Sequence, residues 1–308
     1  MVATPTLTIG TRGSPLALAQ AHETRRRLVE AHGWDDERIA LKVIRTTGDA
    51  IQDRSLAEAG GKGLFTKEID FALLAGEIDA AVHSAKDLPT LIPEGVALVG
   101  FLPREDVRDA LISAIAESIE GLPFGARLGV ASLRRQAQAL KLRSDLRVEL
   151  LRGNVETRLR KAETRTIDAT LLAMAGLKRL GLVERARAPL SLDAFLPAVG
   201  QGAIALTARS GDRRTLDTLG AIADAATLAE LAAERAFLAE LEGSCRTPIA
   251  GLARLSDGRL RFRGQVLRID GSESFEVESA GAAGDASRLG ADAGRSLRAR
   301  LPEGVLGG

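Results

Sequence analysis

The chain has 308 residues, which is long enough for two or three domains of ordinary size. It contains 42 Lys plus Arg and 41 Asp plus Glu, so the formal net charge is only +1 and no overall field favours a polyanionic partner. Aromatic residues make up 3% of the chain and tyrosine is absent, which leaves few side chains to stack on single-stranded nucleic acid. Any anion site must therefore come from local clustering of cations.

Cysteine and histidine usage limits the site chemistry. Cys245 is the single cysteine, which excludes an internal disulfide, and with three scattered histidines it argues against a Cys/His metal cluster. The first ten residues lack a basic segment followed by an apolar one, and no apolar run is long enough to cross a bilayer. We expect a cytoplasmic protein with no metal and no membrane partner.

Short apolar strands alternate with amphipathic helices along the first half, a pattern typical of sheets covered by helices. Residues 7–9 read as a strand, and Ser14 then offers a cap to a helix that begins at Pro15 and ends before Gly33. A second strand at 41–44 precedes a glycine-rich stretch from Thr47 to Phe65. A loop of that length is usually functional or disordered.

The next elements bring polar side chains to the end of a strand. A helix through Ile69 and Leu73 is followed by a strand at 80–82, and Ser84, Lys86 and Asp87 come directly after it. Ligands of open α/β sheets bind at the carboxyl ends of strands. The sequence therefore predicts a site there.

A charged segment at 103–107 indicates a crossing into a second lobe with the same alternation. Beyond it we predict strands at 128–131, 148–151 and 169–173 and a helix at 133–142 capped by Ser132. After a strand at 203–207, two helices at 215–222 and 227–241, strands at 260–268 and 274–278, and a helix at 286–301 indicate a small α+β tail.

Arginines at strand ends or in first helical turns are the strongest signal of function. They are Arg12, Arg134, Arg135, Arg152, Arg158 and Arg179. A guanidinium binds a carboxylate through two hydrogen bonds, and a helix N-terminus adds partial positive charge. One such arginine is more often a solvated surface charge, but repetition at the same structural position favours an anion-binding cleft.

Two further groups stand out, each with a simpler explanation. Asp87 is a lone carboxylate in a region otherwise suited to anions, where it could stabilise a substrate cation, although a surface Lys–Asp pair is commoner. Cys245 precedes Arg246, which would favour a thiolate, although a lone intracellular cysteine is more often inert and packed.

Read in chain order, several motifs resemble the porphobilinogen deaminase family, also called hydroxymethylbilane synthases. They are Thr11-Arg12-Gly13-Ser14-Pro15-Leu16-Ala17, Gly60-Gly61-Lys62-Gly63-Leu64-Phe65, His83-Ser84-Ala85-Lys86-Asp87-Leu88-Pro89, Ser132-Leu133-Arg134-Arg135-Gln136, Leu151-Arg152-Gly153-Asn154, Ala175-Gly176-Leu177-Lys178-Arg179-Leu180 and Gly200-Gln201-Gly202-Ala203. Cys245 falls where the family carries its cofactor cysteine. The match extends to about Ile249 and is weak beyond it.

The resemblance implies an α/β fold with two lobes like a type II periplasmic binding protein plus a small C-terminal α+β domain. The implied domains are 1–102 with 203–220, then 103–202, then 221–308. It also implies a monomeric enzyme that joins four porphobilinogen molecules head to tail with loss of ammonia. Water then releases linear hydroxymethylbilane, a tetrapyrrole precursor.

The resemblance also assigns roles to residues. Asp87 would be the catalytic carboxylate, and Cys245 would hold a dipyrromethane primer through a thioether. The primer's acids would be bound by Ser84, Lys86, Ser132, Arg134 and Arg135. Substrate would be bound by Arg12, Ser14, Gln20, Phe65, Arg152, Gly153, Asn154, Arg158, Arg179 and Gln201, with Phe65 covering the ring on a closing lid.

Two positions depart from the family pattern. Val130 replaces a hydroxyl residue and Gly13 a longer polar one, so we expect altered binding with catalysis retained.

Two other functions stay open. A two-lobed receptor for a small polycarboxylate would explain the arginines but needs neither Cys245 nor Asp87. A nucleic-acid binder is disfavoured by the near-neutral charge and few aromatic residues.

Overall fold

The computed structural model describes residues 6–50, 63–242 and 247–306. The strands there, in chain order, are β1 (Leu7–Thr11), β2 (Ile39–Val43), β3 (Ala80–Ser84), β4 (Val96–Phe101), β5 (Asp109–Ser113), β6 (Arg127–Val130), β7 (Arg147–Leu150), β8 (Ala169–Ala173), β9 (Ala188–Pro189), β10 (Ile204–Arg209), β11 (Ile249–Ser256), β12 (Arg259–Leu267) and β13 (Ser274–Ala282). The helices are α1 (Pro15–His32), α2 (Thr47–Ala50), α3 (Lys67–Leu74), α4 (Leu133–Leu142), α5 (Val155–Glu163), α6 (Met174–Arg179), α7 (Arg213–Gly220), α8 (Ala225–Glu240) and α9 (Ala286–Arg298).

The first compact unit combines the described residues up to 50, residues 63–105 and the returning segment 203–228. Its five-stranded sheet has the order β2-β1-β3-β10-β4. Strand β1 runs parallel to β2 and β3, whereas β10 runs antiparallel to β3 and β4. Ile9, Val82 and Leu206 bring these strands into one buried apolar cluster with Leu28 of α1.

The second unit contains residues 106–202 and the described residues from 229 onward. Its first sheet has the order β7-β6-β8-β5-β9, with β6 parallel to β7 and β8 and with β5 antiparallel to β8 and β9. Leu111, Leu128 and Leu171 bury one face of this sheet against Ala139 of α4.

A second, three-stranded antiparallel sheet in this unit has the order β11-β12-β13. It has an apolar cluster of its own, in which Phe262 packs with Phe237 of α8 and with Leu289 and Leu297 of α9. The predicted fold class is therefore confirmed: α/β, with two sheet-containing lobes and a small C-terminal α+β region.

Local sequence explains the ends of the helix nearest to the candidate site. The Ser14 hydroxyl accepts a hydrogen bond from Ala17 N at 3.3 Å, and Pro15 occupies the first turn, where its missing N–H costs nothing. Gly33 ends α1 with φ of 63°, a left-handed conformation that glycine adopts without strain. The predicted boundaries of α1 are confirmed.

The structure adds elements that the sequence did not predict. Strands β4, β5 and β11 were not expected, and Thr47–Ala50, predicted as loop, forms the short helix α2. The remainder of that predicted loop up to residue 62 lies outside the described residues. Within the described ranges, no helix combines the length and hydropathy that a membrane span requires.

Candidate active site

Arg12 follows β1 directly and lies two residues before Ser14, the N-cap of α1. Its guanidinium carbon is 4.1 Å from the centroid of the Phe65 ring, a cation–π contact. Both side chains are half-buried. The end of a central strand thus presents a cation held against one aromatic face.

Two carboxylates pair with the Arg12 guanidinium. Nε donates to Asp49 Oδ2 at 3.2 Å, and Nη2 donates to Asp49 Oδ1. Nη1 donates to Asp87 Oδ2 at 3.4 Å. Arg12 therefore binds Asp49 through two hydrogen bonds, as arginine binds a carboxylate ligand, and offers its remaining edge to Asp87.

Asp87 is positioned by the end of β3. That strand ends at Ser84, and a single 3₁₀ turn, Ala85–Asp87, follows it. The turn is fixed because Ala85 N donates to Ala203 O at 3.0 Å and Leu88 N donates to Ala85 O at 3.2 Å. Asp87 is consequently held at the carboxyl end of β3, as the sequence predicted.

The neighbours of Asp87 occupy different environments. Ser84 lies within hydrogen-bond distance of buried Gln20, whose amide nitrogen donates to the Ser84 hydroxyl at 2.9 Å. Lys86 is exposed. The structure therefore brings Gln20 and Ser84 together beside the turn that carries Asp87.

Electrostatics keep the Arg12 group charged. Burial opposes its charged form, but the hydrogen bond to Asp49 and the attraction of Asp87 and Asp49 together raise the pKa of Arg12. Burial likewise acts to raise the pKa of Asp49, yet the bonds from Arg12 and from the Thr46 hydroxyl lower it overall. Burial, helped by the charge of Arg12, lowers the pKa of His83 to about 4, so His83 is neutral near pH 7.

Close packing fixes Phe65 against the backbone of α2. A Cβ atom on Gly48 would lie 2.4 Å from two carbons of the Phe65 ring and 2.8 Å from Leu64 O, so this contact requires glycine. Gly48 N also donates to Leu64 O at 2.8 Å. Phe65 is thereby held with one face toward Arg12.

A separate cationic group lies in the second unit, at the start of α4. Ser132 caps this helix, and Arg134 and Arg135 share the fully buried carboxylate of Asp109. Arg134 Nη2 is 2.8 Å from Oδ2, and Arg135 Nη2 donates to Oδ1 at 2.7 Å. Burial lowers the pKa of Arg134, and Asp109 opposes that shift.

Further bonds hold this group in place. Arg134 Nη1 donates to Leu196 O at 2.7 Å, and Gln138 exchanges hydrogen bonds with both backbone groups of Leu196. Gln201 donates to Asp109 Oδ1 at 3.0 Å and to Val107 O at 2.8 Å. Three of the predicted residues, Arg134, Arg135 and Gln201, thus meet at one carboxylate.

The remaining predicted residues of this unit lie on the loops and helices after β7 and β8. Asn154 caps α5, where its side chain accepts from Thr157 N at 2.9 Å, and Gly153 has φ of 120°. Arg158 Nε donates to Gly153 O at 2.9 Å, and Arg179 Nη2 donates to Gly202 O at 3.0 Å. Arg152 is half-buried in the loop between β7 and α5.

Some features differ from the predictions or were missed. Arg179 is the last residue of α6, not part of a first helical turn, and a cation there is favoured by the negative end of the helix dipole. Asp49 and Asp109, the carboxylates that organise the two arginine groups, were not predicted. Val130 is 5% exposed and packs in the apolar cluster beneath α4. Cys245 lies outside the described residues.

Comparison with protein families matches almost the whole chain. Residues 7–217 match the family described as "Porphobilinogen deaminase, dipyromethane cofactor binding domain". Residues 228–299 match "Porphobilinogen deaminase, C-terminal domain".

Full-length relatives carry the same description. The chain is 60% identical over 296 residues to a porphobilinogen deaminase of Nitrobacter winogradskyi, covering 96% of this chain and 94% of that protein. The protein of the same name from Nitrobacter hamburgensis is also 60% identical with the same coverage. The one from Paracoccus denitrificans is 55% identical over 294 residues, with 96% and 94% covered.

Solved structures with a similar arrangement include periplasmic binding proteins at low sequence identity. A periplasmic substrate-binding protein of an ABC transporter from Coxiella burnetii has a TM-score of 0.43 and 16% identity, covering 70% of this chain and 91% of that one. The periplasmic aliphatic sulphonate binding protein from Escherichia coli has a TM-score of 0.42 and 14% identity, covering 78% and 71%.

Proposed function

Because this chain belongs to the porphobilinogen deaminase family and is a hydroxymethylbilane synthase, we propose that Asp87 is its catalytic carboxylate and Arg12 the partner that binds a substrate acid beside it. The enzyme is a transferase that joins four porphobilinogen molecules head to tail on a dipyrromethane primer and releases hydroxymethylbilane. A receptor that binds without reacting explains neither the cofactor-binding domain nor the relatives.

The observation that carries the proposal is the contact between Asp87 and Arg12. The Asp87 side chain is 28% exposed, so it is accessible, and Arg12 Nη1 lies 3.4 Å from it. Loss of ammonia from porphobilinogen leaves an azafulvene cation, which a fixed carboxylate stabilises most strongly when it needs no reorganisation. The 3₁₀ turn after β3 supplies that rigidity.

Substrate acids require donors near this carboxylate. Porphobilinogen carries an acetate and a propionate, and the Arg12 guanidinium can bind either one through two hydrogen bonds. Ser14 and Gln20 lie on the same helix, at its cap and on its buried face. Phe65 covers one face of Arg12 and, in this proposal, also covers the substrate ring.

The residues of the second unit suit a primer that bears acids. Arg134 and Arg135 carry two positive charges against the single negative charge of Asp109, so this trio has a net charge of +1. That surplus lies at the start of α4, where the helix dipole also favours anions. We propose that these arginines and Ser132 bind carboxylates of the primer. Ser84 and Lys86, at the end of β3, are likewise proposed as primer-binding residues.

Cys245 is proposed as the covalent anchor of the primer, through a thioether. When bound, the dipyrromethane supplies the pyrrole carbon to which the first substrate unit is joined. As the product lengthens, its acids accumulate and need further donors. We assign that role to the residues that follow β7 and β8 and to the turn before β10, namely Arg152, Gly153, Asn154, Arg158, Arg179 and Gln201.

We also propose three domains, comprising 1–102 with 203–220, then 103–202, then 221–308. The separate apolar cluster beneath β11, β12 and β13 supports a third domain.

We further propose that the protein is cytoplasmic and monomeric. The location is supported by the biosynthetic role of the family and by the scarcity of cysteine, and the monomeric state by the resemblance to the family. Sedimentation of the purified protein tests the monomer.

The test of the catalytic assignment is Asp87→Asn. This change removes the negative charge while it preserves side-chain size, so we expect folding to be retained and turnover of porphobilinogen to fall by about 10²–10³-fold or more, as for loss of a key electrostatic group. Turnover is followed as formation of hydroxymethylbilane from porphobilinogen. Asp36→Asn, an exposed aspartate of the same unit, is the matched control and should keep wild-type turnover. Comparable turnover in both variants would remove Asp87 from the mechanism.

A further inference from the structure

The Arg12 guanidinium is already occupied by a carboxylate of the chain itself. Asp49 takes the Nε and Nη2 donors, which together form the edge that binds a carboxylate through two hydrogen bonds. Nη1, on the other edge, contacts Asp87. A substrate acid that binds Arg12 through this edge must therefore take the position of the Asp49 carboxylate.

Asp49 is held in this position by local structure. The Thr46 hydroxyl donates to Asp49 Oδ2 at 2.8 Å, and Thr46 is buried. The next residue, Thr47, donates from its backbone N–H to Glu68 Oε1 at 2.9 Å, which attaches the start of α2 to α3. The carboxylate therefore lies at Arg12 because of the fold around it, and not through a chance meeting of two long surface side chains.

We propose that Asp49 is a specificity-determining residue, which occupies the carboxylate-binding edge of Arg12 until a substrate acid displaces it. The inference rests on the proposed role of Arg12 in binding that acid. It assigns to Asp49 no part in the chemical step. Its effect is on which anions gain access to Arg12 and on how tightly the substrate binds.

The exposure and geometry of Arg12 and Asp49 allow a substrate acid to replace the Asp49 carboxylate. The side chains of Arg12 and Asp49 are 20% and 34% exposed, so water can solvate the carboxylate as it leaves. The Phe65 ring covers the face of the guanidinium, and Asp87 contacts Nη1. Arg12 can therefore keep its orientation while the partner at its other edge changes.

The internal carboxylate weakens some ligands more than others. A small monocarboxylate whose only contact is with this edge of Arg12 must displace Asp49, so its affinity falls by the fraction of molecules in which that edge is free. Porphobilinogen carries two acids and a cationic amine, so it can keep other contacts while Asp49 stays in place, and it loses less affinity. Because specificity is a difference of affinities, Asp49 thus favours the substrate over small monocarboxylates.

A double-mutant cycle on KM and kcat tests the inference, with porphobilinogen as substrate and wild type, Asp49→Asn, Arg12→Gln and the double variant as enzymes. We expect Asp49→Asn to lower KM by about two- to fivefold, the factor equivalent to one partly exposed ion pair. Arg12→Gln should raise KM. In the Arg12→Gln background, Asp49→Asn should change KM no further, because its effect acts through Arg12.

Inhibition by propionate provides a second measurement. The inhibition constant would not change if Asp49 had a purely structural role. We expect the inhibition constant for propionate to fall in Asp49→Asn by a factor at least as large as KM does. Thr46→Val removes the hydroxyl that holds Asp49 and leaves the carboxylate, so it should shift both constants in the same direction by less. This second variant keeps the test valid if Asp49→Asn folds poorly in a thermal melt.

Glu77→Gln, which breaks an exposed ion pair with Lys42 in the same unit, controls for the loss of one negative charge and should leave both constants unchanged. Should Asp49→Asn keep or raise KM while Arg12→Gln raises it, the inference is wrong and the role of Arg12 stands. Should Arg12→Gln leave KM unchanged, the proposed role of Arg12 fails and the inference falls with it.

Discussion

The carboxylate of Glu234, on α8, accepts a hydrogen bond from the backbone N–H of Gly200 at 2.8 Å. Its other oxygen accepts one from Ala253 N of β11, also at 2.8 Å, and the side chain is fully buried. Gly200 begins the turn that carries Gln201, which in turn donates to Asp109. One buried carboxylate therefore links α8 and β11 to the turn that contacts the arginine group of α4.

We expect Glu234→Ala to lower the free energy of unfolding by about 2–4 kcal/mol, because two buried N–H groups lose their acceptor. Urea denaturation followed by circular dichroism measures the change. Glu303→Ala, at an exposed position near the end of the chain, should stay within about 0.5 kcal/mol of wild type. Equal stability of the two variants would mean that the Gly200 turn does not depend on Glu234.

Removing the charge of Asp109, the shared counter-ion of Arg134 and Arg135, should destabilise the fold. We expect Asp109→Asn to reduce the free energy of unfolding by about 3–5 kcal/mol, since it leaves two buried guanidinium groups without a negative partner. The arginines would also lose the contact that orients them. The yield of primer-loaded protein, measured by intact mass, should therefore fall as well.

Asp193→Asn is the matched control for that change, because Asp193 is 93% exposed and pairs with Arg263 at the surface of the same unit. Surface pairs contribute little, so both stability and primer loading should stay at the wild-type level. If Asp109→Asn behaved like this control, the arginines would not need Asp109 as their counter-ion.

Asp70, on α3, should make stability depend on pH near neutrality. Burial raises its pKa to about 6. A raised pKa in the folded state means that folding favours the protonated acid, so its stabilising contribution is complete below about pH 4 and is lost as pH rises through about 6. Asp70→Asn stays neutral throughout. We therefore expect the loss of stability between pH 5 and pH 8 to be smaller in this variant by about 1–3 kcal/mol.

Urea denaturation at the two pH values gives this difference directly, and Asp217→Asn, an exposed change on α7, controls for the altered net charge. The comparison uses the change in the free energy of unfolding between the two pH values within each variant. Any pH-independent effect of replacing the carboxyl group with an amide therefore cancels. An Asp70→Asn variant with the same pH dependence as wild type would show that Asp70 is ionised in the folded protein without penalty.

The sequence predicted most of the elements that carry the site, because their signals are local. Helix α4 and strand β8 have the predicted boundaries, and Ser14 and Ser132 cap the predicted helices. Strand β5 was missed because it begins with Asp109, a charge that is buried only because two distant arginines neutralise it. Composition along the chain does not reveal such a pairing.

The same limit applies to the partners of Arg12. The arginine itself was predicted from its position after β1, but its pairing with Asp49 joins residues 37 apart in sequence, and that with Asp87 joins residues 75 apart. These contacts depend on the parallel pairing of β1 with β2 and β3. Sequence reasoning identified Arg12 and Asp87 but not Asp49, and the sheet order determines which of these charged groups meet.

Substitution of Cys245 gives the most decisive test of whether the dipyrromethane primer is bound covalently to this residue. Wild-type protein, denatured so that only covalent groups remain, should weigh more than the polypeptide by the mass of a dipyrromethane. Cys245→Ala should show the bare polypeptide mass, because alanine has no sulfur to form the thioether. Ser244→Ala, at the neighbouring residue, should keep the adduct. An adduct that persisted in Cys245→Ala would place the anchor on another residue, whereas active wild-type enzyme without any added mass would remove the covalent primer altogether.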